Sequence, residues 1–163
     1  DNENYSKKTC NAAVIHQGIN RMFVTKYKDC LAVFTDGSKC NENVGAAVYI
    51  PSLQIEHKFK LSQYMSSYSA EIYAIYLAVE FVLPLNEVSI VICTDSLSAI
   101  MALENCSKGH KENGIIMMIF KLLVETQKRI YIQWIPGHIG IHYNERVDKL
   151  AKEAANDGVE TQY

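Results

Sequence analysis

Four short motifs along the chain each contain an acidic residue with the chemistry to bind a metal ion. They are Thr35-Asp36-Gly37-Ser38, Ser69-Ala70-Glu71, Thr94-Asp95-Ser96 and Asn144-Glu145-Arg146-Val147-Asp148. Asp36 and Asp95 follow short apolar runs, at 31–34 and 88–93, that predict buried strands. Ligands of α/β sheets bind outside the carboxyl ends of the strands, and hard divalent cations prefer carboxylate oxygens. The pattern therefore predicts a shared acidic site for divalent cations.

Hydrolysis of phosphodiesters by two metal ions gives a physical reason for several acids. Two ions about 3.5–4 Å apart clamp the attacking and leaving oxygens, and carboxylates must hold both ions. Mg²⁺ suits an open, all-oxygen site better than Zn²⁺ does. Each acid alone has an equal alternative as a turn former or a helix cap, and capping of the next helix is the main alternative for Asp95. The four together favour a metal site.

Hydrophobic periodicity predicts the elements that must position these acids. Strands are predicted at 31–35, 44–50 and 54–61, with short turns at 37–43 and 51–52. A helix from Ser69 to Pro84, which places Glu71 in its first turn, precedes a strand at 88–93. Helices from Ser96 and at 114–126, a strand at 130–134 and a helix at 144–156 complete the pattern. This βββαβααβα order predicts a mixed sheet with helices on its faces.

The composition is typical of one compact domain. With 163 residues, of which 48% are hydrophobic, the chain can form one sizeable core. We predict a domain at 30–158, an extension or linker at 1–29 and a tail at 159–163. No stretch reaches the roughly 20 apolar residues of a membrane span, and the polar start lacks the apolar core of a signal peptide. We therefore expect an intracellular protein, in the cytoplasm, the nucleus or both.

The cysteines and the net charge limit the possible partners. The five cysteines, Cys10, Cys30, Cys40, Cys93 and Cys106, include no CxxC pair, so neither a disulfide framework nor a zinc site is indicated. A net charge of −2 argues against a free-standing nucleic-acid binder, whose domains are usually basic. Two bound divalent ions would add four positive charges where a phosphate would lie, which weakens that objection.

The four motifs, together with Trp134-Ile135-Pro136-Gly137-His138, resemble the type 1 ribonuclease H domain in order and interval over residues 31–155. They are most similar to the ribonuclease H domains of non-LTR retrotransposon reverse-transcriptase polyproteins. The resemblance implies an α/β ribonuclease H-like fold whose mixed five-stranded sheet, three antiparallel strands followed by parallel strands, is flanked by helices. It also implies an endonuclease that hydrolyses the RNA strand of RNA·DNA hybrids with two Mg²⁺ ions, or with Mn²⁺ as a substitute.

The resemblance also implies a role for each matched residue. Asp36 would bridge both metal ions, Glu71 and Asp95 would complete one metal site, and Asp148 would complete the other. His138 corresponds to a histidine thought to assist product release or proton transfer.

Candidate substrate contacts lie beside the acids. In the resembled family, small polar residues before the helix glutamate grip a DNA phosphate, and Ser66 and Ser67 occupy that stretch here. Tyr64 stands where relatives often have an arginine. Asn41 and Asn43, in the turn predicted after Asp36, are candidates to reach a minor groove, and the turn length leaves open which of them does.

Affinity for the hybrid would then come partly from a covalently linked reverse transcriptase, which raises effective concentration. Two alternatives remain from the sequence alone. One is another nuclease of the same architecture, such as an integrase or resolvase, that acts on duplex DNA. The other is a non-catalytic module of a larger polymerase.

Overall fold

The computed structural model describes the backbone of residues 2–161 and the side chains of residues 13–161. The strands are β1 (Leu31–Cys40), β2 (Asn43–Ile50), β3 (Ile55–Leu61), β4 (Ser89–Thr94), β5 (Arg129–Trp134) and β6 (Val159–Glu160). The helices are α1 (Asn2–Thr25), α2 (Ser67–Val82), α3 (Leu97–Ser107), α4 (Gly114–Glu125) and α5 (His142–Asp157), and a 3₁₀ turn covers Pro51–Leu53.

The strands form one mixed sheet in the order β5-β4-β1-β2-β3-β6. The pairs β1–β2 and β2–β3 are antiparallel, whereas β4 is parallel to both β1 and β5. The predicted mixed α/β architecture is confirmed. The strand count differs by one within the described residues, because β6 pairs with β3 through Val159 and Glu160, in the segment predicted as a tail. Two residues are too few to produce the alternation by which strands are predicted.

Strand β1 continues past the predicted end at Thr35, so the turn predicted at 37–43 is wrong. Gly37 pairs with Ala46 and Cys40 pairs with Asn43, which leaves a two-residue turn. Asn41, at φ 55°, adopts the left-handed conformation that asparagine tolerates in turns. Gly37 serves close packing here, because a Cβ on it would lie 2.3 Å from the Ala70 carbonyl carbon.

The sheet separates two apolar clusters, and neighbouring residues of β1 contribute to opposite ones. Val33 belongs to the cluster under α2 and α4, which includes Ile72 and Ile119. Phe34 belongs to the cluster under α5, which includes Leu150. This alternation follows from the two-residue period of a strand. The core therefore fixes the positions of β1, α2 and α5 relative to one another.

Helix α1 occupies most of the segment predicted as an extension or linker. Phe23 lies in the cluster under α5, with its ring centroid 6.0 Å from that of Phe34. Tyr27, just beyond the helix, is 4% exposed and donates a hydrogen bond of 2.8 Å to the Gln133 side chain. The partly buried residues of α1 occupy one narrow face, and its short apolar groups were too isolated to predict a helix.

The described side chains include four of the five cysteines. Cys30, Cys40, Cys93 and Cys106 are free thiols, whereas Cys10 lies outside the residues with described side chains. Over the described part of the chain, no helix combines the length and the apolar character needed to cross a membrane.

Candidate active site

Three acidic residues meet at one edge of the sheet. Asp36, Glu71 and Asp95 each offer a carboxylate oxygen, and these oxygens all lie within 4.8 Å of one another. The parallel pairing of β1 with β4 ends at Phe34 and Cys93, so Asp36 and Asp95 both come two residues beyond it. The two carboxylates therefore lie together just beyond the β1–β4 pairing, whereas β1 itself continues along β2 to Cys40.

Helix α2 brings Glu71 to this edge. The helix begins at Ser67, two residues before the predicted start, because the Ser66 side chain caps it and accepts a 3.0 Å hydrogen bond from the Ser69 amide. Glu71 therefore lies in the second turn, not the first as predicted. The Gly37 amide donates a 3.2 Å hydrogen bond to Glu71 Oε2, so β1 orients this carboxylate directly.

Burial and mutual repulsion disfavour ionisation of the cluster. The pKa of Asp36 is raised to about 9, first by burial and then by the charges of Glu71, Asp95 and Asp148. The pKa of Glu71 is raised to about 7, first by burial and then by the charge of Asp95. These shifts are those of carboxyl groups crowded together without a cation. A bound divalent cation would favour the ionised carboxylates.

Asp148 approaches the cluster from α5 without joining the group of three. Its charge raises the pKa of both Asp36 and Glu71, which places it within electrostatic reach of them. Its Oδ2 accepts a 2.6 Å hydrogen bond from Lys152 Nζ, one helical turn further along. The structure therefore brings three of the four predicted acids into one group and keeps the fourth beside it, paired with a lysine.

Two side chains that the sequence did not assign to the site hold Asp95. Asn144 is 3% exposed, and its Nδ2 donates a hydrogen bond of 3.5 Å to Asp95 Oδ2. The indole of Trp134 donates a 3.0 Å hydrogen bond to the Asp95 carbonyl. The helix predicted to begin at Asn144 begins at His142, so Asn144 lies in its first turn, within hydrogen-bond reach of Asp95. The alternative role of Asp95 as a helix cap is wrong, because Ser96 occupies the N-cap of α3.

The loop between β5 and α5 packs against the acids and carries His138. A Cβ on Gly137 would lie 2.3 Å from Asp95 Oδ2, so only a glycine fits here without displacing that carboxylate. His138 is the next residue; its side chain is exposed and its backbone φ is 54°. A positive φ is uncommon for residues other than glycine and is frequent at functional sites. The predicted catalytic histidine therefore lies on a loop that contacts the acidic cluster.

Comparison with known proteins agrees with this geometry. A model of the RNase H family matches residues 28–156. The chain belongs to the RNase H family. Ribonuclease H1 from Homo sapiens, Rattus norvegicus and Mus musculus is in each case 32% identical over 145 residues, which cover 78% of this chain and 50% of the relative. The chain thus spans about half the length of these curated relatives.

The cluster in this RNase H family member fits divalent metal ions. Its donors are all oxygens, as Mg²⁺ prefers, and a cation would relieve the repulsion that raises the carboxyl pKa values. Asn144 Oδ1 is buried beside Asp95 and has no hydrogen-bond partner among the described residues. An unsatisfied buried acceptor beside the acids indicates a site for a further donor, such as an ordered water. Asp36, Glu71 and Asp95, with Asp148 beside them, are the residues that would hold such ions.

The predicted substrate contacts lie around the cluster, not within it. Four strand residues separate Asp36 from the turn that contains Asn41, about 13 Å at the usual rise, and Asn43 begins β2. Both are exposed. Ser66 uses its hydroxyl as the cap of α2, whereas Ser67 is exposed in the first turn of the helix.

Tyr64 is 87% exposed on the loop before α2. Lys39, which the sequence did not single out, fixes this loop, because its Nζ donates hydrogen bonds to the carbonyls of Gln63 at 3.1 Å and Met65 at 2.6 Å. In the sequence, the one indication that Lys39 has a role near the site is its position three residues after Asp36.

Proposed function

We propose that this protein is an endonuclease that hydrolyses the RNA strand of RNA·DNA hybrids. The observation that carries the proposal is the convergence of Asp36, Glu71 and Asp95 in a chain of the RNase H family. The relatives it matches are named ribonuclease H1, and the matched region of this chain includes all four predicted acids. Activity of this chain is the part of the proposal that experiment must decide.

Two Mg²⁺ ions, with Mn²⁺ as a substitute, are the cofactors that we propose. When bound, such ions stabilise the charge that develops on the phosphoryl oxygens and lower the pKa of a bound water. Asp36 would be the central ligand, since it is 6% exposed and its pKa responds to all three other acids. Glu71 and Asp95 would hold one ion with it. Asp148 would help to hold the other, because only its Oδ2 takes part in the hydrogen bond to Lys152.

His138 is the proton-transfer or product-release group in this proposal. It is exposed beside Gly137, which contacts Asp95, so its ring can exchange protons with solvent close to the acidic cluster. We expect His138→Ala to lower turnover less than loss of Asp36 does. Equal losses from the two substitutions would contradict this division of roles.

The hybrid would be recognised on both strands, since the 2′-hydroxyl distinguishes RNA from DNA. We propose that Ser66, Ser67 and Tyr64 contact a phosphate of the DNA strand. The exposed position of the loop and the helix start supports this role. Asn41 and Asn43 would contact the minor groove at the β1–β2 turn, where both side chains face solvent. Replacement of Tyr64 by arginine is expected to tighten hybrid binding through an added positive charge.

The domain also has a proposed source. We propose that it is the ribonuclease H activity of a retroelement, with a reverse transcriptase in the same polyprotein as partner, in the cytoplasm or nucleus. Two features support this idea: the residues around Asp36, Glu71 and His138 resemble those of retrotransposon ribonuclease H domains, and the net charge is −2. A weakly charged domain gains affinity when a linked partner raises its effective concentration. A covalent fusion of the two domains should therefore cleave at lower hybrid concentration than the separate domain.

A panel of labelled substrates tests the proposed activity. We expect cleavage of an RNA·DNA hybrid on its RNA strand when Mg²⁺ is present, and no cleavage with EDTA. Single-stranded RNA and duplex DNA should remain intact. Cleavage of duplex DNA alone would instead favour an integrase- or resolvase-like nuclease.

Calorimetry distinguishes a nuclease, whether it cleaves hybrids or duplex DNA, from a non-catalytic module. A nuclease of this kind should bind Mg²⁺ with a heat signal that Asp36→Asn removes and Asp29→Asn retains. Asp29 is an exposed aspartate outside the site and therefore a matched control. Absence of both cleavage and Mg²⁺ binding would identify a binding or structural module.

A further inference from the structure

One hydrogen bond connects α1 to the loop that carries His138. His16 Nε2 lies 2.5 Å from the carbonyl oxygen of Ile139, a contact between residues 123 positions apart in the chain. The same nitrogen would lie 3.5 Å from a Cβ on Gly140. His16 is partly buried and is outside the region that matches the RNase H family. This contact is therefore specific to the segment that precedes the family domain.

The middle of this loop makes few other hydrogen bonds to the described residues. At its ends, the Ile135 amide donates a hydrogen bond to the Thr94 carbonyl, and the Ile141 carbonyl accepts one from Glu145. Between these ends, among the described residues, His16 provides the one side-chain hydrogen bond to the loop backbone. His138 at φ 54° and Gly140 at φ 82° both adopt the left-handed conformation. For His138 this conformation is unfavourable and persists only where the surroundings hold it.

The position of His16 is itself well fixed. His16, Ile19 and Phe23 are partly buried at the spacing of one helical face. Phe23 packs against Phe34 of β1, and Tyr27 packs against Tyr131 of β5 with ring centroids 5.6 Å apart. From Phe23 the helix extends back seven residues, about 10 Å, to His16. The helix is thus a rigid support anchored on the sheet that carries Asp36.

We propose that His16 is a positioning residue that holds the His138 loop against the acidic cluster. The bond requires a proton on Nε2, which both the neutral Nε2–H tautomer and the imidazolium supply. Loss of the bond leaves the Ile139 carbonyl free and removes the support for the left-handed conformation of His138. The segment before the family domain is then part of the active site. The kinetic consequence rests on the proposed function, whereas the restraint of the loop does not.

Three variants of the full chain separate a positioning role from simple packing. His16→Phe keeps a ring of similar size and removes the donor. His16→Gln keeps an N–H donor on a flexible side chain and should restore much of the bond. Gln17→Ala is the matched control, because Gln17 is the exposed next residue of the same helix. Thermal unfolding of all three confirms that each variant is folded.

The first measurement is backbone ¹⁵N relaxation of Gly137, His138, Ile139 and Gly140, which does not depend on catalysis. In the parent protein, the order parameters of these amides should be near those of rigid backbone, about 0.85. In His16→Phe they should fall toward about 0.6, the value of flexible segments, and His16→Gln should recover most of the difference. Unchanged order parameters in His16→Phe would overturn the proposal.

The second measurement is steady-state cleavage of an RNA·DNA hybrid. His16→Phe should lower kcat about fivefold with KM unchanged, which converts to about 1 kcal/mol, the usual net value of one hydrogen bond. His16→Gln should recover activity, and Gln17→Ala should match the parent. Because His16 acts through the loop, His16→Phe combined with His138→Ala should be no slower than His138→Ala alone.

The outcomes distinguish failure of this inference from failure of the proposed function. Fully additive losses in the double variant, or equal losses from His16→Phe and His16→Gln, would overturn the positioning role. A parent protein that neither cleaves the hybrid nor binds Mg²⁺ would overturn the proposed function. In that case the relaxation measurement still decides whether His16 restrains the loop.

Discussion

At the scale of single residues, the site depends on carboxylates crowded where the fold gives them little water. Asp36 is the extreme example, as a strand residue 6% exposed with three other acids nearby. Burial of a charged group is costly unless an opposite charge compensates it. The acids therefore destabilise the metal-free protein and become favourable when cations bind.

The first prediction concerns stability without metal. Because the pKa of Asp36 is raised from 3.8 to about 9, its stabilising contribution is complete below about pH 4 and is lost as pH rises through about 9. In EDTA at pH 8, Asp36→Asn should therefore unfold several degrees above the parent, since 1 kcal/mol corresponds to about 2–4 °C for a chain of this size. At pH 4 the two melting temperatures should coincide.

Thermal unfolding followed by circular dichroism checks this prediction, with Asp29→Asn as control. Added Mg²⁺ should then raise the melting temperature of the parent and leave that of Asp36→Asn unchanged. If the difference in melting temperature between the parent and Asp36→Asn were the same at pH 4 and pH 8, ionisation of Asp36 would not destabilise the metal-free protein.

The second prediction concerns Gly137. In Gly137→Ala the new Cβ would lie 2.3 Å from Asp95 Oδ2, so the carboxylate must turn away from the cluster. We expect Mg²⁺ affinity to fall about tenfold or more, as for other residues that orient metal ligands. Calorimetric titration measures this change. Gly18→Ala is the matched control, because a Cβ on Gly18 meets nothing within 4 Å, and a similar loss in both variants would refute the steric argument.

At the scale of elements, close packing of helices on the sheet places the acids. Glycines in neighbouring strands permit it on both faces, with Gly37 against α2 and Gly45 against α5. Helix α2 carries Glu71 and helix α5 carries Asp148, so the distance of each helix from the sheet sets the geometry of the site. Helix α1 adds a third support through His16.

A prediction at this scale is that Gly45→Ala displaces α5. Its Cβ would lie 2.4 Å from both the Ala151 carbonyl oxygen and the Ala155 amide, and these backbone atoms can move only with the helix. We expect a loss of about 1–3 kcal/mol in the free energy of unfolding, the usual cost of overpacking. Urea denaturation measures it, with Gly114→Ala as control because that position is open. An unchanged midpoint for Gly45→Ala would show that α5 tolerates a wider separation.

At the scale of the whole molecule, the sequence predicted the order of the elements from β1 to α5 and the convergence of Asp36 with Asp95, but it predicted neither α1 nor β6. Apolar runs identified β1 and β4, and the positions of Asp36 and Asp95 after them indicated the site. Pattern alone did not identify the tertiary roles of Gly37 and Asn144. Gly37 was predicted to be a turn residue, whereas contact with α2 requires it in a strand. The contact between His16 and Ile139 joins residues 123 positions apart in the chain, which no local signal predicts.

The most direct test of the central claim is the rate of RNA cleavage in a hybrid by Asp36→Asn relative to the parent and to Asp29→Asn, all in Mg²⁺. Metal stabilisation of the transition state is worth several kcal/mol, at about 1.4 kcal/mol per tenfold in rate. We therefore predict that Asp36→Asn remains folded and loses at least about a hundredfold in rate, whereas Asp29→Asn cleaves like the parent. Near-normal cleavage by Asp36→Asn would contradict the assignment of the acidic cluster as the catalytic metal site.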